Sequence, residues 1–351
     1  MPRFTRPTPR LALLAVIAAP LMVLATACGG AADGDTASEE TFVLKVTDGA
    51  NAGPLAVGKR DGTFDEALAP LGARVEWVEA APSVSANLKL FSTGELDISE
   101  GAFSPVVGAL SKDVDLKIVA AAEQGGQDQS GIIARPDSGI ESVRDLEGKR
   151  VAVNPAAKGE YLTLLALEQA GVPVNSVERV PLQIKDGASA FSTGQVDAWA
   201  SFNAPYQEAK ANGAVELVNE GQLDSQDRKV LLVRGSVAQE RPDVVAAFLS
   251  TLQELVLRQA SEPADFQNVF TTTGPTALSG TRLEDAIAVG AQALPPVPPG
   301  EDEAEALEAV SRVFTENGVT PAQLSAEDVF LDLRPLVSPE QAAQIDLEAG
   351  Q

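Results

Sequence analysis

No histidine occurs anywhere in the 351 residues, and that absence removes Ser-His-Asp and Cys-His catalysis together with most zinc and iron sites. Cysteine is almost missing too: Cys28 stands alone, so no disulfide can form within the chain. The glycine motifs that mark nucleotide binding and the hydrolase nucleophile elbow, G-x-G-x-x-G, G-x-x-x-x-G-K-[ST] and G-x-S-x-G, do not occur. Positive charge is scarce, with 26 Lys and Arg against 50 Asp and Glu and a net of −24. That balance disfavours nucleic acid as a partner and keeps the surface solvated. Acidic pairs such as Asp65-Glu66 and the run Glu301-Asp302-Glu303 lie on segments that read as solvated faces, so a carboxylate enzyme has no positive support.

Long apolar runs are limited to one, Leu11 to Leu24, preceded by Arg3, Arg6 and Arg10 and followed by Ala25-Thr26-Ala27-Cys28-Gly29. It is short for a spanning helix and is interrupted by Pro20, so it reads as an export signal. The lone cysteine at its end matches a bacterial lipobox, although Ala25 stands where that pattern prefers leucine. Residues 1–27 are therefore expected to be a lipoprotein signal peptide and Cys28 the lipidated anchor to the outer face of the cell membrane. Residues 28–40 lack the apolar content to pack and read as a flexible tether. Loss of the leader takes three arginines and no acid, which leaves 23 basic residues against 50 acidic ones and moves the net charge to −27. The remaining 324 residues exceed the usual size of one core, so two lobes are expected.

A repeat carries that expectation further. Phe91-Ser92-Thr93-Gly94-Glu95-Leu96-Asp97 returns as Phe191-Ser192-Thr193-Gly194-Gln195-Val196-Asp197, each time after an amphipathic run and before a short apolar strand. Gly94 and Gly194 sit where a helix end favours the left-handed conformation. Asp97 and Asp197 read as structural, because an aspartate after a helix stop bonds nearby backbone N–H groups. Around the repeat, strands and helices alternate from Phe42 to Ala121 and again from Gly131 to Val218, and Lys229 to Val233 is expected to cross back. The pattern predicts an α/β chain with two mostly parallel sheets flanked by helices and a cleft between them. The expected partition is 41–133 for the first lobe, 134–230 for the second and 231–351 for a return to the first, with C-terminal helices packed on it.

Binding chemistry is what the motifs leave. The turn Asn154-Pro155-Ala156-Ala157-Lys158-Gly159-Glu160-Tyr161 joins a buried strand to a helix, where free N–H groups and the helix dipole favour an anion, and Lys158 could add a charge-assisted contact. The equivalent loops are read as Asp48 to Gly53, Glu100 to Pro105 and Ser201 to Tyr206, each after the C-terminal end of a strand. Trp199 reads as core and Phe202 as site.

The run Ile140-Glu141-Ser142-Val143-Arg144-Asp145-Leu146-Glu147-Gly148-Lys149-Arg150-Val151-Ala152-Val153, the Tyr161-Leu162 helix and Val196-Asp197-Ala198-Trp199 resemble extracytoplasmic solute-binding proteins of ABC importers, in the aliphatic sulfonate, taurine and nitrate branch. The resemblance implies a type II periplasmic-binding fold whose lobes are hinged by two crossing strands, and a monomer that delivers a small organic anion to a membrane permease without catalysis, metal or cofactor. It carries ligand contacts over to Ala50, Asn51, Gly101, Ala102, Ser130, Ala156, Ala157, Tyr161, Phe202 and Asn203, and Glu100 and Lys158 join them from the reading of the loops. The branch often has tryptophan and aspartate where this chain has Phe202 and Asn203, and a serine-rich turn with histidine where it has Pro155 to Glu160. Glu100 and Glu160 bring negative charge near the expected site: either an amine on the ligand answers them, as taurine's could, or the solute is not a sulfonate. The same fold with a pyrimidine or thiamine-precursor-like heterocycle stacked on Phe202 and Tyr161 is the alternative, and a lipid-anchored carboxylate hydrolase is the reading of another class.

Overall fold

The computed structural model describes residues 41–347, apart from 82–83, 111–113, 124–128 and 275. The export signal, Cys28, the tether and part of the polar loop at 123–130 lie outside the described residues. No helix among the described residues is long and apolar enough to cross a membrane.

Strands β1 (Phe42–Thr47), β2 (Ala73–Val78), β3 (Ile98–Ala102) and β4 (Leu116–Ala122) belong to the first sheet. The chain then passes to a second sheet made of β5 (Ser130–Ala134), β6 (Arg150–Val153), β7 (Glu178–Pro181), β8 (Ala198–Phe202) and β9 (Val215–Asn219), and returns to the first with β10 (Lys229–Arg234). The orders are β2-β1-β3-β10-β4 and β7-β6-β8-β5-β9. In each sheet four strands share a direction, and one that arrived from the other half, β10 or β5, runs antiparallel between two of them. The two orders superpose strand for strand, so the short sequence repeat belongs to a repeat of the whole half.

Helices cover the sheets: α1 (Gly53–Asp61), α2 (Thr63–Leu68), α3 (Val84–Thr93) and α4 (Phe103–Leu110) in the first half, then α5 (Lys158–Ala170), α6 (Ile184–Ser192) and α7 (Asn203–Ala211) in the second. After β10 come α8 (Gly235–Glu240), α9 (Pro242–Ser261), α10 (Thr281–Gly290), α11 (Glu301–Glu316), α12 (Ala326–Val329) and α13 (Pro339–Ile345). Gly94 and Gly194 follow α3 and α6 with φ of 70° and 73°. Their N–H groups bond the carbonyls of Phe91 and Phe191, so both helices stop as the repeat predicts.

The strand that follows starts two residues later than the apolar pattern suggests, at Ile98 and Ala198, because the aspartates are used first. Asp97 accepts the Lys45 N–H at 3.0 Å and both Nε and Nη2 of Arg234, and Asp197 accepts the Arg150 N–H at 2.9 Å. The aspartates therefore stitch β1 to the start of β3 and β6 to the start of β8, in the structural role read from the sequence.

Helix α9 places Val245, Phe248, Leu249, Leu252 and Val256 in the apolar cluster of the first half, where Phe248 stacks on Phe64 of α2 at 4.5 Å. Not all C-terminal helices pack on the first half, however. Helix α11 lies against both α4 and α5, and its Leu307, Val310 and Phe314 join one apolar cluster with Phe103 of the first half and Leu162 of the second. The connector Leu294 to Gly300 is extended, and Val297 exchanges both backbone hydrogen bonds with Ala121, which covers the edge strand β4.

Candidate functional site

The C-terminal ends of β1, β3 and β8 and the residue after β6 face one cleft of about 570 Å³ between the two sheets, lined among others by Thr47, Ala102, Asn154 and Phe202. Two of its corners contain no loop. Strand β3 runs straight into α4 at Phe103, and β8 into α7 at Asn203, because Phe103 and Tyr206 are fully buried and anchor those helices at once. The expected loop at 100–105 is thus a strand-to-helix junction, and Glu100 lies inside β3.

Three helices begin at the cleft with residues that cannot cap them. The N-cap positions of α1, α5 and α7 are Ala52, Ala157 and Phe202, none of which supplies a side-chain acceptor. Away from the cleft, Ser325 and Ser338 cap α12 and α13 in the usual way. Two N–H groups beside the start of α5 are answered locally: Asn154 Oδ1 accepts from Gly159 of the first turn at 2.6 Å, and Glu160 Oε2 accepts from Ala156, ahead of the N-cap, at 2.7 Å. The backbone beside these starts is in the left-handed region at Ala50, Ala156 and Asn203, with φ of 53°, 48° and 57°. Such conformations cost about 1–2 kcal/mol per alanine and concentrate where a chain must present its backbone to a ligand.

Lys158 does not project its ammonium at the cleft as the turn suggests. Its Nζ lies 2.6 Å from Glu220 and 3.1 Å from Asp227, both buried on the segment that leads from β9 to β10. Burial opposes its charge, and the carboxylates of Asp227 and Glu220 more than offset that and hold its pKa above the ordinary lysine value. Asp227 also accepts from the backbone N–H and the hydroxyl of Ser104 at 2.8 and 2.7 Å, which ties the start of α4 to the start of α5 across the crossing segment. Tyr161 belongs to the same buried set. Its hydroxyl accepts the Gln226 N–H at 3.3 Å, its ring meets Phe314 edge-on, and burial, reinforced by Asp227, raises its pKa.

The cleft brings together eight of the expected residues: Ala50, Glu100, Gly101, Ala102, Ala157, Lys158, Phe202 and Asn203. Asn51, Ser130, Ala156 and Tyr161 are not in its lining. Asn51 is turned away because its side chain donates to the carbonyls of Thr271 and Thr276 and accepts from the N–H groups of Phe270 and Thr271. Ser130 is fully buried at the start of β5, and its Oγ makes no hydrogen bond among the described residues. Ala156 packs against Gly108 of α4.

Lys229 is the cleft residue that the pattern of motifs passes over. It opens β10, is exposed, and makes no salt bridge among the described residues. Topology supplies a signal for it: an antiparallel strand begins where its parallel neighbours end, which is where open α/β sheets bind ligands. Another part of the lining, Leu252, Val256 and Gln259 of α9 with Val289 and Leu294, comes from distant parts of the chain. No group of three or more Asp, Glu, Cys or His among the described residues could hold a metal ion.

Comparison with known proteins agrees with this fold. A protein of Bacillus subtilis (strain 168), described as a candidate aliphatic sulfonates-binding protein, is 32% identical over 248 residues, which span 70% of this chain and 73% of its own length. The taurine-binding periplasmic protein of Escherichia coli (strain K12) is 29% identical over 202 residues, 56% of this chain and 60% of that one. Among solved structures, the alkanesulfonate-binding protein SsuA from Xanthomonas axonopodis pv. citri, bound to MOPS, matches with a TM-score of 0.73 at 20% identity, over 84% of this chain and 98% of its own. The desulfurization enzyme DSZB shares the fold as well, with a TM-score of 0.57 at 16% identity over 83% of this chain and 96% of its own, so architecture alone does not separate binding from catalysis. Residues 50–264, more than half of the chain, match the model of one family and contain the β1–α1, β3–α4, β6–α5 and β8–α7 corners of the cleft, and the chain belongs to that family, the NMT1/THI5-like proteins.

Proposed function

We propose that the chain is the substrate-binding component of an ABC importer, which captures a small organic anion of the aliphatic sulfonate or taurine type in the cleft and delivers it to a membrane permease. One observation carries the reading: three helices start at a single cleft with Ala52, Ala157 and Phe202 at their N-caps, beside the exposed ammonium of Lys229. Uncapped N–H groups and helix dipoles converging there favour an anion in spite of the acidic surface. The names of the sulfonate- and taurine-binding relatives support the same class. The protein performs no chemistry on its ligand. It works outside the cytoplasm as a monomer anchored through a lipidated Cys28, and the mass of its N-terminal peptide from membranes, carrying acyl chains on Cys28, checks the anchor.

A heterocycle sandwiched between Phe202 and Tyr161 does not fit, since the Tyr161 ring is buried against Phe314. Calorimetric titration with alkanesulfonates, taurine, nitrate and amino acids tests the reading. A cognate sulfonate at 100 times its Kd is expected to stabilise the fold by about 2.7 kcal/mol. Silence of every sulfonate beside a response to another class would overturn it, and turnover of an ester or glycoside that depends on one carboxylate would establish the hydrolase instead.

A further inference from the structure

Two acidic side chains lie near the expected ligand, and the structure separates them. Glu160 turns back into its own half: Oε1 pairs with Arg179 at 3.0 Å while Oε2 accepts the Ala156 N–H. Glu100 does the opposite. It faces the cleft from β3, is exposed to it, and its carboxylate makes no hydrogen bond or salt bridge among the described residues.

Of the other charged groups in the lining, two are paired and a third stands at the edge. Asp48 is held by Lys59 at 2.6 Å, Lys158 by Glu220 and Asp227, and Glu123 sits past the end of β4 at the cleft wall. Lys229 remains. The register of β3 on β10 sets Lys229 opposite Ala102 and Leu231 opposite Glu100. Glu100 and Lys229 are therefore diagonal neighbours on one sheet face, about 7–8 Å apart. An anion and a cation with no ion-pair partner among the described residues, side by side in one wall, form the complement of a zwitterion. The surrounding protein raises the Glu100 pKa, and Lys229 pulls it back only in part, so a cation placed against the carboxylate is stabilising.

Beyond Glu100 the cleft continues between α1, α9 and α10, and there its wall is mostly apolar: Leu55, Leu252, Val256, Val289 and Leu294, with Gln259 the polar exception. The total of about 570 Å³ falls within the range that takes drug-sized organic molecules, more than nitrate or a two-carbon sulfonate fills.

We propose that Glu100 is the specificity residue of the cleft, selecting a sulfonate whose body carries a cationic nitrogen with an apolar substituent. The sulfonate sits at the helix starts beside Lys229, the ammonium against Glu100, and the substituent in the apolar recess. The proposal rests on the sulfonate reading above. The test titrates the full chain with N-cyclohexyl-aminopropanesulfonate and with its carbon isostere, cyclohexylbutanesulfonate, which differ only in the ammonium. The wild type is expected to prefer the ammonium ligand about tenfold, a difference within reach of one charge-assisted contact. Glu100→Gln is expected to abolish the preference, so that the ammonium ligand and the isostere bind alike, which a merely structural glutamate would not produce. The preference also shrinks as pH falls through the raised Glu100 pKa, and binding then releases a proton that titration in two buffers of different ionisation enthalpy detects. Equal affinity of the wild type for the two ligands, or a preference that survives Glu100→Gln, overturns the role of Glu100 alone. Binding of neither, with taurine and propanesulfonate also silent, overturns the sulfonate reading and this inference with it.

Discussion

Replacing Asp227 with alanine is expected to lower the unfolding free energy by about 3–5 kcal/mol, read from the midpoint and slope of a urea titration. Asp227 is buried where three elements meet, and its carboxylate serves Lys158 and both donors of Ser104. Its loss leaves the buried Lys158 ammonium with one carboxylate in place of two, and Glu220 Oε2 makes no hydrogen bond among the described residues, so the remaining pair is poorly satisfied. The Ser104 N–H loses its acceptor as well, a desolvation cost of about 1–3 kcal/mol for a group away from water. Removing the whole charge set tests the cause. The triple variant Lys158→Met, Glu220→Gln, Asp227→Asn has no orphaned charge and is expected to recover most of the loss, since an apolar replacement of a buried ionic set is often neutral. A loss below about 1 kcal/mol for the single variant would mean that water reaches Lys158 from the cleft and replaces the missing carboxylate.

How much of this was legible in the chain depends on how local the cause is. The repeated Phe-Ser-Thr-Gly segment marks a helix stop and the strand after it, both set within ten residues, and the two halves do share one strand order. The beginnings of β3 and β8 were misplaced by two residues because Asp97 and Asp197 bond to Lys45 and Arg150, partners 52 and 47 residues away, which no local pattern reveals. Lys158 shows the same limit more sharply. A lysine at a helix start beside small residues reads as an anion contact, and what claims it is a pair of carboxylates 62 and 69 positions later that only the crossing of the chain brings near. Tyr161 and Asn51 were likewise taken up by neighbours distant in sequence. Alanines that present backbone rather than side chain were easier to place, and Ala50 and Ala157 line the cleft. The apolar recess was invisible, since α9, α10 and the proline-rich connector meet there through tertiary packing alone.

Gly108→Ala is expected to destabilise the protein by about 2 kcal/mol although it replaces a poor helix former with the best one. A Cβ built at Gly108 in α4 would lie 1.9 Å from the carbonyl oxygen of Ala156 and 2.8 Å from its Cβ. The nearer atom is backbone and cannot swing aside as a side chain would. Helix propensity returns about 1 kcal/mol, and overpacking against a fixed carbonyl costs about 3 kcal/mol, so the clash wins. Ala156 sits in the turn between β6 and α5, so relief of the clash moves the second half's turn away from the first half's helix. That turn carries Ala157 into the cleft, and weaker ligand binding should accompany the loss of stability. The reverse substitution makes the control: Ala156→Gly leaves the carbonyl in place, frees a residue held at φ 48°, and is expected to be neutral or to stabilise by up to about 1 kcal/mol. Equal losses from Gly108→Ala and Ala156→Gly would instead assign the contact to the Ala156 methyl, whereas a gain in stability for Gly108→Ala would mean that α4 and the turn separate readily and that the two halves are held together by α11 and the Asp227 network.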